Sequence, residues 1–234
     1  MKPSRLAVLL LPLALAACAG NRTAPPTVSR ELQAMYAEMP DGDITIPAVP
    51  AKWLSERNKR VEVDYQGGQK PGSIVIDPHD RYLYYVLPDQ RAIRYAIAVG
   101  KEGRGFTGNA NVAYTREWPR WTPTQNMLRN EPELYGPWRG GMEGGLDNPL
   151  GARALYLYRG GKDTRYRIHG TAYPWSIGGA DSAGCIRLYN QDIVHLEQLV
   201  KPGARVTVLS EADSLGVVPP VAPASALVPA AATN

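Results

Sequence analysis

The sequence predicts a mainly β fold, a sandwich with a few short helices built from residues 70 to 211, and two observations carry that expectation. From Ser73 onward, short runs rich in β-branched and aromatic residues recur (SIVID, RYLYYVL, AIRYAIAVG), separated by the turn-forming stretches Asp77-Pro78-His79-Asp80 and Pro88-Asp89-Gln90. Strand candidates also outnumber helix candidates along the whole stretch, and successive strands joined by short turns pair antiparallel and stack in layers around one core.

Taken from the N-terminus, Lys2 and Arg5 precede the apolar run Leu6 to Ala17, the layout of a secretory signal over residues 1–17, and that run is short for a membrane span. It closes on Leu15-Ala16-Ala17-Cys18. Small residues before a cysteine resemble the bacterial lipobox, which implies cleavage before Cys18, a lipid on its thiol and a periplasmic anchor; Ala19 beside it implies the outer membrane. The plainer alternative is an ordinary cleavage site that happens to precede a cysteine. Residues 18–69 read as tether and lead-in. Ala19 to Ser29 is small, polar and proline-bearing, Ser29 to Glu38 is a candidate short helix, and Asp41 to Gln69 has no readable pattern.

Within residues 70–211, further strands are expected at Asn111 to Thr115, Arg153 to Arg159, Arg165 to His169 and Arg205 to Leu209. One helix is expected over Gln191 to Val200, with Asn190 as N-cap, Asp192 in the first turn, Ile193, Leu196 and Val200 on one face, and Pro202-Gly203 as the stop. Residues 116–150 fit neither period. With Trp118, Trp121, Trp138, several prolines and paired glycines, they are either a wall or lid over a cleft or a structural excursion whose tryptophans fill core gaps. Residues 212–234, rich in Ala, Pro and Val without periodicity, read as a disordered tail.

Composition excludes one class of partner. Loss of residues 1–17 removes two of the 26 basic residues, Lys2 and Arg5, and none of the 22 acidic ones, leaving a net charge of +2. Near-neutrality without a long Lys/Arg run speaks against nucleic acid. The cysteine count says more. If Cys18 is lipidated, Cys185 has no partner in a compartment where disulfides form, so it is either an inert buried thiol or a reactive one.

The stretch Arg165 to Leu188, RYRIHGTAYPWSIGGADSAGCIRL, decides between these. A strand delivers His169 at its end, and Ser182-Ala183-Gly184-Cys185 follows, with Cys185 sixteen positions after the histidine and Arg187 two beyond. A thiol becomes an effective nucleophile when an imidazole takes its proton, and a loop of this length can bring the two side chains together. Gly184, lacking Cβ, allows a tight turn in which the Gly184 and Cys185 amides point at a developing oxyanion. Arg187 can fork onto a substrate carboxylate. A zinc site from Cys185, His169 and His195 lacks the compact paired spacing of structural zinc, and His79 sits in a turn.

On His169-Gly170-Thr171 and on Ser182, Gly184, Cys185 and Arg187, the sequence resembles the L,D-transpeptidase family, also called the YkuD-type domain. Pro174 to Gly178 (PWSIG) and Asn148 to Leu157 (NPLGARALYL) add to the likeness, which spans roughly residues 70 to 210. One departure stands out: Ala183 occupies a position where most members carry histidine. The resemblance implies an L,D-transpeptidase-type β-sandwich catalytic domain with no metal or organic cofactor. In it Cys185 is nucleophile, His169 its base oriented by the Gly170 carbonyl, and Ser182 and Gly184 supports of the oxyanion region. Arg187 and Thr171 would bind substrate, with Trp121 and Trp138 as a cleft wall.

The implied substrates are peptidoglycan stem tetrapeptides, losing D-Ala and passing the acyl group to an amine: another stem peptide, a free D-amino acid or an outer-membrane protein. Two other readings stay open. One is a hydrolase on the same scaffold, with water as acceptor; the other is a lipoprotein that binds peptidoglycan without turnover.

Overall fold

The computed structural model describes residues 28–100, 106–179 and 185–217. Helix α1 (Arg30–Met35) opens it, its first turn closed by the Ser29 hydroxyl, which accepts from the Leu32 amide at 3.2 Å. A small hairpin follows, β1 (Met39–Asp41) and β2 (Ile44–Ile46), turning through Gly42. Then come β3 (Val61–Asp64), β4 (Ile74–Asp77), β5 (Tyr82–Val86), β6 (Arg91–Ala96), β7 (Ala98–Val99) and the long β8 (Gly108–Glu117). Between β8 and the next strand lie two short helices, α2 (Gln125–Asn130) and α3 (Pro132–Tyr135). The described residues close with β9 (Arg153–Arg159), β10 (Lys162–His169), β11 (Ile186–Arg187), α4 (Asn190–Leu199), β12 (Arg205–Val208) and α5 (Glu211–Val217).

Ten strands form one sheet in the order β3-β6-β5-β4-β12-β8-β9-β10-β11-β7. All neighbours are antiparallel except β4 with β12 and β10 with β11. The sheet's shape follows from connectivity. β6 lies second from one edge and β7 forms the opposite edge, yet only Ile97 separates them, and two residue steps span at most about 7 Å. The sheet must therefore fold over until its two ends meet, which turns its inner faces toward each other. Ile76, Leu83, Tyr95, Leu155, Ile168 and Ile186, drawn from both halves, accordingly share one core, closed by Ile193 and Leu196 of α4. β4 and β12 sit in the middle of the order; β4 is buried on both faces, whereas β8 exposes alternate residues. The mainly β, two-layered class expected from the strand runs is the observed one.

The segment without a readable pattern is part of this body. Tyr36, Leu32, Val49 and Leu54 pack with Ala96, Ala98, Ile177 and Tyr189. β3 adds to the sheet edge beside β6, so the sheet begins near residue 61 rather than 70. The disordered reading of residues 212–234 is corrected at its start: Glu211–Val217 is helical, and Ser214, buried, donates to the Asp77 carboxylate. The local signal is Ser210-Glu211-Ala212-Asp213, where the Asp213 amide donates to the Ser210 hydroxyl oxygen and the Asp213 carboxylate accepts from the Ser210 amide; the contact of Ser214 with a carboxylate 137 positions away has no local signal. The signal, Cys18, the tether up to residue 27 and the tail beyond 217 lie outside the described residues.

Candidate active site

The site grows out of the parallel pairing of β10 with β11. β10 and β11 pair with Ile168 opposite Ile186 and His169 opposite Arg187. Side chains alternate faces along a strand. Ile168 and Ile186 point into the core, so Arg167, His169 and Arg187 share the other face; Cys185 is the residue before β11, opposite Arg167 if the register is continued by one step, and near enough for the two to interact electrostatically. Cys185, which forms no disulfide, is partly buried. Ser182, Ala183 and Gly184 lie outside the described residues.

His169 is 3% exposed, and its Nδ1 lies 2.6 Å from the Gly170 carbonyl oxygen. A carbonyl can only accept, so the proton sits on Nδ1 and the Nε2 lone pair is left for chemistry. Burial pushes the imidazole down to about 3, the positive charge of Arg187 adds to this and that of Arg167 adds further, while the carbonyls of Gly170 and Leu150 act in the opposite sense. The ring is held neutral, as a proton acceptor must be at rest.

What holds the His169-Gly170-Thr171 turn is Asn190. Its Oδ1 accepts from the amides of Ala152 (3.0 Å) and Thr171 (3.1 Å), and its Nδ2 donates to the Thr171 carbonyl (3.0 Å). Two glycines make room for it. A Cβ on Gly170 or on Gly151 would stand 2.2 Å from Asn190 Oδ1, and Gly151 also has a φ of +61°. The expectation that Asn190 caps the helix is therefore corrected: α4 begins at Asn190, Tyr189 is the N-cap position, and the amide side chain serves the strand ends instead. Sequence reasoning missed this role because an Asn before a helical run has a simpler local explanation.

The excursion between β8 and β9 walls a cavity that reaches Arg187. Trp121 and Met142 exchange backbone hydrogen bonds of 2.9 and 2.7 Å, pinning its two limbs together. Asn148, 1% exposed, closes its base, donating to the Pro119 and Glu143 carbonyls and accepting from the Leu150 amide. The cavity beneath, about 270 Å³, is lined by Trp121, Trp138, Met127, Tyr135, Tyr173 and Arg187 among others. Trp118 turns away from it and packs with Ile46, Ala152 and Val194. Thr171 is buried, its hydroxyl accepts from the Tyr173 amide, and it lines a neighbouring cavity with Trp53, Leu146 and Trp175 rather than the one beside Arg187. Tyr135 and Met142 are lining residues that sequence reasoning did not single out; nothing local distinguishes them from core apolar residues. His195 is remote, its Nδ1 2.8 Å from the Tyr95 hydroxyl, and His79 keeps its turn through its amide on Asp77.

Compared with known proteins, the family model described as the L,D-transpeptidase catalytic domain, YkuD, matches residues 71–208. A probable L,D-transpeptidase of Escherichia coli (strain K12), ErfK/SrfK, is 36% identical over 141 residues, covering 59% of this chain and 44% of that protein. The chain thus spans less than half of that relative's length. A putative L,D-transpeptidase in the ATP synthase subunits region of Fuscovulum blasticum is 30% identical over 204 residues, covering 84% of this chain and 94% of that protein. A crystal structure from Brucella melitensis, named a probable carnitine operon oxidoreductase, is 48% identical and covers 68% of this chain and 98% of its own, with a TM-score of 0.47.

Proposed function

The chain belongs to the YkuD family of L,D-transpeptidase catalytic domains, and on that premise we propose that it is a cysteine acyltransferase acting on peptidoglycan stem peptides. Cys185 Sγ attacks the carbonyl at the L-centre of the third stem residue, diaminopimelate. His169 Nε2 takes the Sγ proton and passes it to the nitrogen of the departing D-Ala as the C–N bond breaks, leaving a thioester. An incoming amine then loses a proton to Nε2, forms the new amide and releases the sulfur, which recovers that proton. The amides of Gly184 and Cys185 are the oxyanion donors in this scheme, with Ser182 as support. Arg187 holds a carboxylate of the substrate.

The observation that supports the reading is the register of β10 with β11: His169, at the end of its strand, stands opposite Arg187, two residues after Cys185, with its imidazole neutral and its Nδ1 tied to Gly170. Export, lipidation at Cys18 and an outer-membrane anchor complete the proposal, and they rest on residues 1–19 of the sequence. Mixing the protein with a disaccharide tetrapeptide in the absence of acceptor is the test. Release of D-Ala with a matching acyl mass on the Cys185 peptide is the expected result; D-Ala release with the same mass elsewhere, or no release at all, would overturn it.

A further inference from the structure

We propose that Arg167, rather than a histidine cation, sets the acidity of the Cys185 thiol. The inference rests on the reading of Cys185 as nucleophile. Continuing the β10–β11 register by one step puts Arg167 beside Cys185 on the face that also carries His169 and Arg187. The guanidinium is fixed by contacts of its own, and it interacts electrostatically with Cys185. It forks onto Asp163 with contacts of 2.7 and 2.8 Å, lies 4.2 Å from the centre of the Tyr156 ring, and its side chain is 15% exposed. An arginine keeps its charge at every relevant pH, and a fixed charge at low exposure is weakly screened.

The described charged and titratable groups around the thiol are Arg167 and His169 from β10, Arg187 from its own strand and Tyr156 from β9, with Asp163 behind Arg167 and Tyr135 and Tyr173 beside Arg187. Two of these are permanent cations. The field that opposes an imidazolium at His169 favours a thiolate at Cys185, and the thiolate interacts favourably with Arg167. A resting thiolate–imidazolium pair is therefore the disfavoured arrangement. The thiol is acidified by guanidinium, and the neutral imidazole acts as carrier during turnover. In a titration of the free protein the S–H bond breaks, its electron pair stays on sulfur and the proton goes to solvent.

The test is the pH dependence of alkylation by iodoacetamide on the full chain, counted at the Cys185 peptide by mass spectrometry so that Cys18 does not contribute. Wild type should show a midpoint below the ordinary thiol value of about 8.5. Arg167→Gln should slow alkylation about tenfold at pH values below the midpoint, the size of effect a neighbouring opposite charge exerts, and Arg167→Lys should recover most of it. His169→Gln should leave the midpoint low. The proposal is overturned if the wild-type midpoint is ordinary, if His169→Gln raises it as far as Arg167→Gln does, or if Arg167→Lys behaves like Arg167→Gln, which would make the fork to Asp163 structural. Should Arg167→Gln fail to fold, the His169→Gln and Arg167→Lys arms still decide. An acidic thiol that obeys these rules in a protein with no acyl transfer would sink the transpeptidase reading and leave this one standing.

Discussion

His169 illustrates how one backbone contact assigns a chemical role. Its Nδ1 is committed to the Gly170 carbonyl, so the ring has one nitrogen left and that nitrogen is a lone pair. Replacing His169 by alanine is expected to slow D-Ala release about 10³-fold, within the range of a lost general base, while Cys185→Ala stops it and His195→Ala leaves it near wild type. Wild-type kinetics in His169→Ala would remove it from the mechanism. Asn190 belongs to the same scale. It supplies three hydrogen bonds to backbone groups on either side of the turn, and truncation leaves the Ala152 amide and the Thr171 backbone amide and carbonyl without those partners in a mostly buried place. Asn190→Ala should cost about 2–4 kcal/mol in urea unfolding and lower turnover more than it raises KM, because the imidazole loses its fixed position. Asn190→Asp keeps the two accepted bonds and should fall between.

At the level of elements, α4 is the strut that joins the strand ends to the N-terminal segment. Asp192, fully buried, accepts from the Tyr36 hydroxyl at 3.0 Å and pairs with Arg60 at 3.0 Å. Gln191 reaches the Ala37 and Pro47 carbonyls. Burial outweighs the pull of Arg60 and Tyr36, and the Asp192 carboxyl is pushed up to about 7. Between about 4 and 7 the folded protein thus holds a proton that the unfolded chain has released, so stability from this group is present below about 4 and lost as pH rises through 7. The buried histidines work in the opposite sense. His169 at about 3 and His195 at about 4 stabilise above the ordinary imidazole value of about 6.5, and that contribution is lost as pH falls. Subtraction isolates Asp192: from pH 5 to pH 8 the unfolding free energy of Asp192→Asn should gain about 2–3 kcal/mol relative to wild type, and a constant difference would refute the assignment. Elements of this kind also mark where sequence reading stops. Runs such as IVID and YLYYV announce β4 and β5 because each residue suits a pleated surface. The pairing of the two-residue β11 with β7 and the docking of Tyr36 onto Asp192 join residues more than eighty positions apart, and no local pattern encodes them.

For the whole molecule, the bent sheet and its N-terminal strap leave one face open under the excursion between β8 and β9, and that geometry bears on where the chain sits and what it makes. With anchoring at Cys18, a fatty-acid analogue should label wild type and not Cys18→Ala; persistent label would discard the lipid anchor. The nature of the product depends on the walls around the thioester more than on the nucleophile. Water is present at its bulk concentration, so an amine prevails only if the site holds it in line and limits solvent, an orientation effect that can replace a very large concentration. Trp121 and Trp138 line the cavity that Arg187 also lines, Trp121 is pinned by its backbone pairing with Met142, and Trp138 remains 42% exposed, able to contact an incoming group from the solvent side. Cutting both to alanine removes that wall without touching Cys185 or His169. We therefore expect wild type, given a tetrapeptide donor and excess amine acceptor, to yield mainly cross-linked or exchanged products, and Trp121→Ala/Trp138→Ala to release D-Ala at a comparable rate but with hydrolysed tripeptide as the larger share. If the double variant keeps the wild-type product ratio, these rings do not control acceptor choice; if wild type itself gives tripeptide alone, water is the natural acceptor and the protein is a hydrolase on a transpeptidase scaffold.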